Sequence, residues 1–327
     1  MRRREFLKAA ATTGAMAVSR NLAGGEAGEP ASEPAPCSNP AKLPQREYGR
    51  TGIRLSVIGL GGLVLKGLDQ PAADRLVAEV VERGVNYFDV APTYGDSEHL
   101  LGPALQPYRK SVFLACKTTQ REKGPGQAEF EESLRRLKTD RVDLYQLHAL
   151  TKLDKDVEPA FGKNGIMEFL VQAKKEGRVR FLGFSAHSVE AAEAAISRYP
   201  FDSILFPINF ATFHEGNFGP QIVRLAKGKG LAILALKALA RQSWPKEHPD
   251  RRKYPKCWYQ PLSDPREAEL GLRFTLSQPV TAVVPPAEES LFRLALDLAM
   301  RFKPLDPAGD QELRTLAARL KPIFRAA

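Results

Sequence analysis

Three observations on this 327-residue chain predict an α/β fold, a closed (β/α)8 or TIM-type barrel behind an N-terminal hairpin. From near Arg46 onward, apolar runs of five to seven residues alternate with amphipathic stretches of helical period. The runs are apolar at nearly every position, as strands of a parallel sheet are when helices cover both faces. Eight such units fit the usual length of a closed barrel. The alternative is an open doubly wound sheet. Against it, the glycines of VIGLGG, residues 57–62, are not followed by the spacing of a dinucleotide-binding loop.

Residues 1–44 read as an export leader and a disordered linker. MRRREFLKAAATTGAMAVSR sets a basic cluster ahead of a short, weakly apolar segment, the layout of a signal peptide. Arg3-Arg4-Glu5-Phe6-Leu7-Lys8 resembles the twin-arginine export motif, with Arg2 where Ser or Thr is usual. A basic amphipathic helix is the other reading. From Ala23 to Pro44 the chain is mostly Gly, Pro, Ala and Glu, unable to bury enough apolar surface to offset its ordering entropy.

Over residues 45–327 the order is regular. A hairpin is expected around Arg50-Thr51-Gly52, then strands at 56–60, 85–89, 111–117, 142–148, 179–184, 202–208, 231–237 and 280–284. Helices are expected at PAADRLVAEVVERG, AEFEESLRRLKTD, GIMEFLVQAKKEG, SVEAAEAAISRY and PREAELGLRFTLSQ, several closed by a glycine that can take the left-handed conformation. From Arg241 to Asp264 runs an insertion with Trp244, Tyr254, Trp258 and Tyr259 among prolines and basic residues. It reads either as a lid whose aromatics Trp244, Trp258 and Tyr259 wall a substrate or cofactor cleft, or as a loop pinned down by them.

Composition narrows the function classes. No run reaches the roughly 20 apolar residues of a spanning helix. The net charge of +10 is scattered over many helices, with one dense cluster after the leader, Lys246 to Lys256, and no nucleic-acid reading motif, so no nucleic-acid partner is indicated. Three cysteines in no metal spacing indicate neither a metal site nor a disulfide framework. Cys116 points away from its neighbour Lys117 in a strand and is expected under a helix.

Chemistry gathers at three strand ends. FDVAPTYG releases Asp89 and Tyr94, SVFLACKTT ends near Lys117, and VDLYQLHAL near His148. The barrel places its chemistry at the carboxyl ends of strands. Singly, each has a structural reading: Asp89 as a turn cap, Tyr94 as a half-buried aromatic, Lys117 as a snorkelling cation, His148 as a core histidine. Together they set an ammonium and a carboxylate around a phenol. A cation beside Tyr94 is expected to lower its pKa from about 10 toward neutrality, Asp89 to hold Lys117 charged, and His148 to donate to a substrate oxygen.

The series REYGRTGIRLSVIGLGG, GVNYFDVAPTYGDSEHLLGPAL, LACKTT, RLKTDRVDLYQLH, GRVRFLGFSAH and FDSILFPIN resembles the aldo-keto reductases from about Arg46 to the end of the last long helix. The resemblance implies a barrel enzyme reducing a small-molecule aldehyde or ketone with NADPH or NADH. Tyr94 is then the proton donor, Lys117 and Asp89 tune it, and His148 orients the carbonyl.

On the cofactor side the chain departs from the family pattern. Ser185-Ala186-His187 stands where Ser-Asn-His is usual, Leu205 where a glutamine is usual, and Leu236, followed by Lys237, at the ring-stacking position. Beyond the eighth strand, Val284-Pro285-Pro286-Ala287-Glu288-Glu289 replaces phosphate-binding basic residues. The resemblance leaves Gly62, Leu63, Ser185, Lys237, Pro285, Pro286 and Glu289 to hold the nicotinamide cofactor, with carboxylates opposing a 2′-phosphate. The other functional reading is a degenerate barrel that binds nucleotide or a partner without turnover. Export in folded form through the twin-arginine machinery would deliver the protein, already loaded with cofactor, to the periplasm, either free or anchored by an uncut leader.

Overall fold

A computed structural model describes residues 42–326, so the arginine pair and most of the expected linker lie outside the described residues. The chain is already tied down at Leu43, inside the stretch assigned to the linker: its side chain is buried and its amide donates to the Arg83 carbonyl at 3.2 Å. The hairpin follows, with β1 (Gln45–Glu47) antiparallel to β2 (Arg54–Ser56). It reverses through Gly49 and Gly52, whose φ angles of +57° and +75° a side chain would oppose.

The eight-stranded sheet runs in chain order. It comprises β3 (Leu60–Gly61), β4 (Tyr87–Asp89), β5 (Phe113–Thr118), β6 (Val142–Leu150), β7 (Val179–Ala186), β8 (Ser203–Pro207) and β9 (Ala232–Leu236). Two strands of a separate ribbon, β10 (Ala240–Ser243) and β11 (Tyr259–Pro261), precede the last barrel strand, β12 (Ala282–Val284). All neighbouring barrel pairs are parallel. The ring closes where Gly59 N donates to Val283 O at 2.9 Å and Val283 N to Val57 O at 2.8 Å, around a parallel Ile58–Val283 bridge. The expected barrel is therefore the observed one, and the open sheet is excluded.

Helices α1 (Gln70–Glu82), α2 (Ser97–Leu105), α3 (Lys123–Arg136), α4 (Glu158–Phe161), α5 (Ile166–Lys175) and α6 (Val189–Arg198) separate the first six strands. The rest are α7 (Phe210–His214), α8 (Pro220–Lys229), α9 (Pro265–Ser277), α10 (Glu289–Met300) and α11 (Pro307–Ala317). Asp69, Ser188, Asn209, Asp264 and Asp306 start five of them by accepting a backbone N–H that the first turn leaves without a partner.

The barrel interior is filled by Tyr48, Leu55, Tyr87, Phe113, Leu144, Leu205 and Leu234. Tyr48, from the hairpin, is fully buried there, its hydroxyl donating to Ser203 Oγ at 2.7 Å and its ring 5.0 Å from that of Phe113. One end of the barrel is thereby plugged. The other end, where the strands terminate in polar residues, remains for binding and chemistry.

The insertion is not a bare loop. β10 and β11 pair as an antiparallel ribbon, joined across by Gln242 and Gln260 and, beyond the strand ends, by Trp244 Nε1 donating to Cys257 O at 2.9 Å. Its prolines at 245, 249, 255 and 261 hide the strand alternation from a sequence reading.

Candidate active site

Asp89 ends β4 and Tyr94 leaves the turn behind it, held by its amide on Ala91 O at 3.0 Å. Lys117, on β5, is fully buried and does not snorkel; its ammonium pairs with Asp89 Oδ1 and donates to Val90 O at 3.1 Å. The second oxygen of Asp89 accepts from Tyr87 OH at 2.9 Å and Gln146 Nε2 at 3.1 Å. Asp89 thus caps no turn. Burial alone would lower the Lys117 pKa, but Asp89, followed by Tyr94, outweighs it and the net direction is upward. A pair so deeply placed is costly to desolvate, so its value lies in the fixed position of the ammonium more than in stability.

That ammonium lies 5.0 Å from the centroid of the half-buried Tyr94 ring. The expected lowering of the Tyr94 pKa is corrected here. Burial is the largest influence and pushes the phenol up, Lys117 opposes it, and Asp89 adds to the rise, so the net direction is upward. Near neutral pH Tyr94 is a phenol holding its proton, beside a cation that opposes the rise in its pKa.

His148 meets Tyr94 edge-on, ring centroids 5.7 Å apart at 83°. Burial first, then Lys117, His187, Arg121 and Lys237, bring its pKa down to about 3, so the imidazole is neutral at physiological pH. Nδ1 is shut off from solvent and has no partner among the described residues. A proton on Nε2 leaves Nδ1 an unpaired acceptor, less costly than an unpaired N–H, and gives the site one donor for a substrate oxygen. Arg121 fixes the backbone behind the ring by donating to His148 O at 2.7 Å while pairing with Asp156 at 3.1 Å.

Beside Tyr94 and Asp89 opens a cleft of about 130 Å³. Of the sequence-selected residues, Leu63, Lys237, Trp258, Tyr259, Pro285 and Pro286 line it. Leu205 and Leu236 form an apolar part of its wall, from β8 and β9. Gly61 lines it too, and neighbouring Gly62 packs on the residue after β4: a Cβ would lie 2.9 Å from Val284 Cγ1 at the first and 2.7 Å from Val90 Cγ2 at the second. The two glycines let the Val284 and Val90 side chains pack against this strand end.

Gly62 does not line the cleft, and three more selected residues are placed elsewhere. Ser185 uses its hydroxyl to accept from Ala149 N at 2.7 Å, fixing a residue with a φ of +57°. Glu289 pairs with Arg293 at 3.0 Å on α10 and does not line the cleft. Trp244 pins the ribbon and is not a wall of the cleft. Cys116 lies under α2 as expected, its thiol 3.4 Å from Glu98 Oε1.

Sequence reasoning missed Tyr87, Gln146 and Lys256. Tyr87 and Gln146 stand two positions before Asp89 and His148, on the same strand faces, and that spacing was the available signal. Lys256 lines the cleft from the ribbon, its Nζ on Val64 O at 2.9 Å and its amide on the Glu288 carboxylate.

Residues 57–300 match the model of the Aldo/keto reductase family, a span that includes all eight barrel strands. The chain is 29% identical over 273 residues to an uncharacterized oxidoreductase of Bacillus subtilis (strain 168), covering 73% of this chain and 85% of that one. It is 28% identical over 236 residues to the L-galactose dehydrogenase of Arabidopsis thaliana, covering 64% and 70%. Its fold matches an aldo-keto reductase of Bacillus halodurans, with a TM-score of 0.64 at 24% identity for the holo form, covering 84% of this chain and 96% of that one. The apo form gives 0.62 at 25% with the same coverage. By the extent of the family match and by its barrel, the chain belongs to the aldo/keto reductase family of oxidoreductases.

Proposed function

We propose that this protein reduces an aldehyde or ketone to an alcohol, with Tyr94 giving the proton to the carbonyl oxygen. The observation that carries the reading is the Lys117–Asp89 pair fixed beneath a phenol that keeps its proton, with a neutral His148 edge-on to the same ring. A nicotinamide cofactor, NADPH or NADH, would supply the hydride. The residues fit such a group: Leu63, Pro285 and Pro286 offer it apolar walls, with Gly61 beside them at the same cleft. His148 holds the carbonyl oxygen near Tyr94, and Lys117 stabilises the phenolate left behind. The apolar Leu205 and Leu236 favour a second reading, cofactor binding without turnover. Titrating the purified protein with each cofactor, then assaying a panel of aldehydes and ketones, separates the two. Binding with no carbonyl-dependent cofactor oxidation would leave only the second.

NADH is expected to bind at least as well as NADPH. Glu288 directly follows the cleft-lining Ala287, and the nearby cation Arg293 is already engaged by Glu79 and Glu289, so it is not free to receive a 2′-phosphate. Two like charges at a partly exposed site repel by about 1–4 kcal/mol before screening, enough to remove a preference for the 2′-phosphate. A tenfold calorimetric advantage for NADPH would overturn this.

Folded export through Arg3 and Arg4 is part of the same proposal. Replacing both with Lys keeps the charge and loses the planar guanidinium forks a receptor can read. The substituted protein is expected in the cytoplasm with its leader uncut, and the parent outside the inner membrane. Equal export of both forms on fractionation would remove the twin-arginine assignment.

A further inference from the structure

We infer that Arg121 and Ser185 are positioning residues for His148: together they hold a bulge in β6 that aims its imidazole at Tyr94. The consequence for turnover rests on the carbonyl-reducing reading above. Leu147 pairs with Phe184 and Leu150 with Ala186, so between these pairs β6 carries one residue more than β7. The bulge falls on His148 and Ala149, and Ala149 takes a φ of +57°, costly for a residue with a Cβ and kept where the surrounding structure holds it. Bulges beside active sites re-aim a side chain. The one re-aimed here is His148, delivered edge-on to the Tyr94 ring.

A bulge interrupts the ladder, and its backbone groups need other partners. Toward β5, pairing stops at Thr118 opposite Leu147, and the next carbonyl, that of His148, accepts from Arg121 Nη2 at 2.7 Å. Toward β7, the Ala149 amide donates to Ser185 Oγ at 2.7 Å. The chain rejoins its neighbour past the bulge, where His187 N donates to Leu150 O at 2.9 Å. Two side chains thus replace the sheet on either side of the step that carries His148.

Arg121 is itself anchored. Its Nε and Nη2 donate to Asp156 Oδ1 at 3.3 and 3.1 Å. The other oxygen of Asp156 accepts from the amides of Thr151 and Lys152 at 2.8 and 2.9 Å and from the Thr151 hydroxyl at 2.8 Å. Arg121 Nη1 reaches Thr118 O, one residue past Lys117, at 3.4 Å. One planar fork therefore ties the strand end that carries Lys117 to the strand end that carries His148, and both to the turn at 151–156. A lysine keeps the charge but has no such fork. The family pattern gives Ser185 to the cofactor; its contact with the Ala149 amide makes it a support of the bulge, and the test separates the two.

The test is a double-mutant cycle on the full-length protein, read as kcat/KM at saturating cofactor for any carbonyl compound the parent reduces. Arg121→Lys and Ser185→Ala are each expected to lower it by about tenfold to a hundredfold, the scale of a misplaced group at a reacting centre. In a His148→Ala background each should cost less than about twofold, because both act through that ring. Equal losses in the two backgrounds overturn the inference. So does a loss in Ser185→Ala confined to cofactor Kd, which would assign Ser185 to the nicotinamide. A second measurement needs no turnover: in protein labelled with ¹⁵N-histidine, the His148 ring, identified by its absence in His148→Ala, is expected as one neutral tautomer in the parent and shifted or broadened in both variants. Unmoved His148 resonances overturn the inference even where the rate falls. Should no carbonyl compound be reduced, the carbonyl-reducing reading fails by itself and these resonances decide the role of the bulge. Should Arg121→Lys not fold, Ser185→Ala, which changes no charge, carries both measurements.

Discussion

Tyr94→Phe is expected to abolish carbonyl reduction while leaving the fold and cofactor binding nearly intact. The change removes one hydroxyl from a half-buried ring at the edge of a cleft and leaves the ring's contact with His148 in place. No apolar volume leaves the core, so stability should change little. The proton-transfer step loses its donor. General acid catalysis of this kind contributes about 10²–10⁴ in rate, or roughly 3–5 kcal/mol of barrier. Lys117 and His148 remain and can still polarise a carbonyl, which explains a residual rate but not a normal one. The measurement is kcat and kcat/KM with any carbonyl compound the parent reduces, alongside a cofactor titration. Parental turnover in the variant would remove Tyr94 from the mechanism.

How far this site was legible in the sequence differs from residue to residue. The eight strands are readable because burial on both faces makes them apolar runs, and single polar residues such as Lys117 and His148 stand out at their ends. Gln146 sits inside such a run, and Tyr87 counts as apolar there; spacing puts Tyr87 on the face of Asp89, but only the assembled sheet brings Gln146 to the same carboxylate. Helix α2 was not read because Gly102 and Pro103 interrupt its period. Trp244 and Trp258 look equivalent in the same insertion, and only the ribbon pairing separates the pin from the exposed wall residue. The sign of the Tyr94 shift was beyond sequence for a different reason: it is a contest between burial and one cation, and proximity in sequence gives neither depth nor distance.

Lys117→Met is expected to lower both stability and rate and to move the pH profile. The unbranched stem is kept, so packing volume is nearly conserved. What disappears is the partner of an almost fully buried carboxylate, leaving Asp89 with only the Tyr87 and Gln146 donors. Removing one member of a buried pair costs about 3–5 kcal/mol, a large share of a typical domain's 5–15 kcal/mol. Adding Asp89→Asn should restore much of that stability without restoring the rate, because it removes the uncompensated charge and not the missing cation. In the parent, the folded-state pKa of Lys117 lies above its unfolded value. Its contribution to stability is therefore complete below about pH 10.4 and is lost only as pH rises through the folded value, a loss the variant lacks. For activity the sign runs through Tyr94: burial already pushes its pKa up and Lys117 opposes that, so without the ammonium the phenol rises further. The alkaline limb assigned to Tyr94 should shift upward in kcat/KM while the plateau falls. Urea denaturation of the single and double variants, with pH–rate profiles of any variant that folds, checks both halves, and an unmoved limb beneath a lower plateau would reduce Lys117 to a positional role.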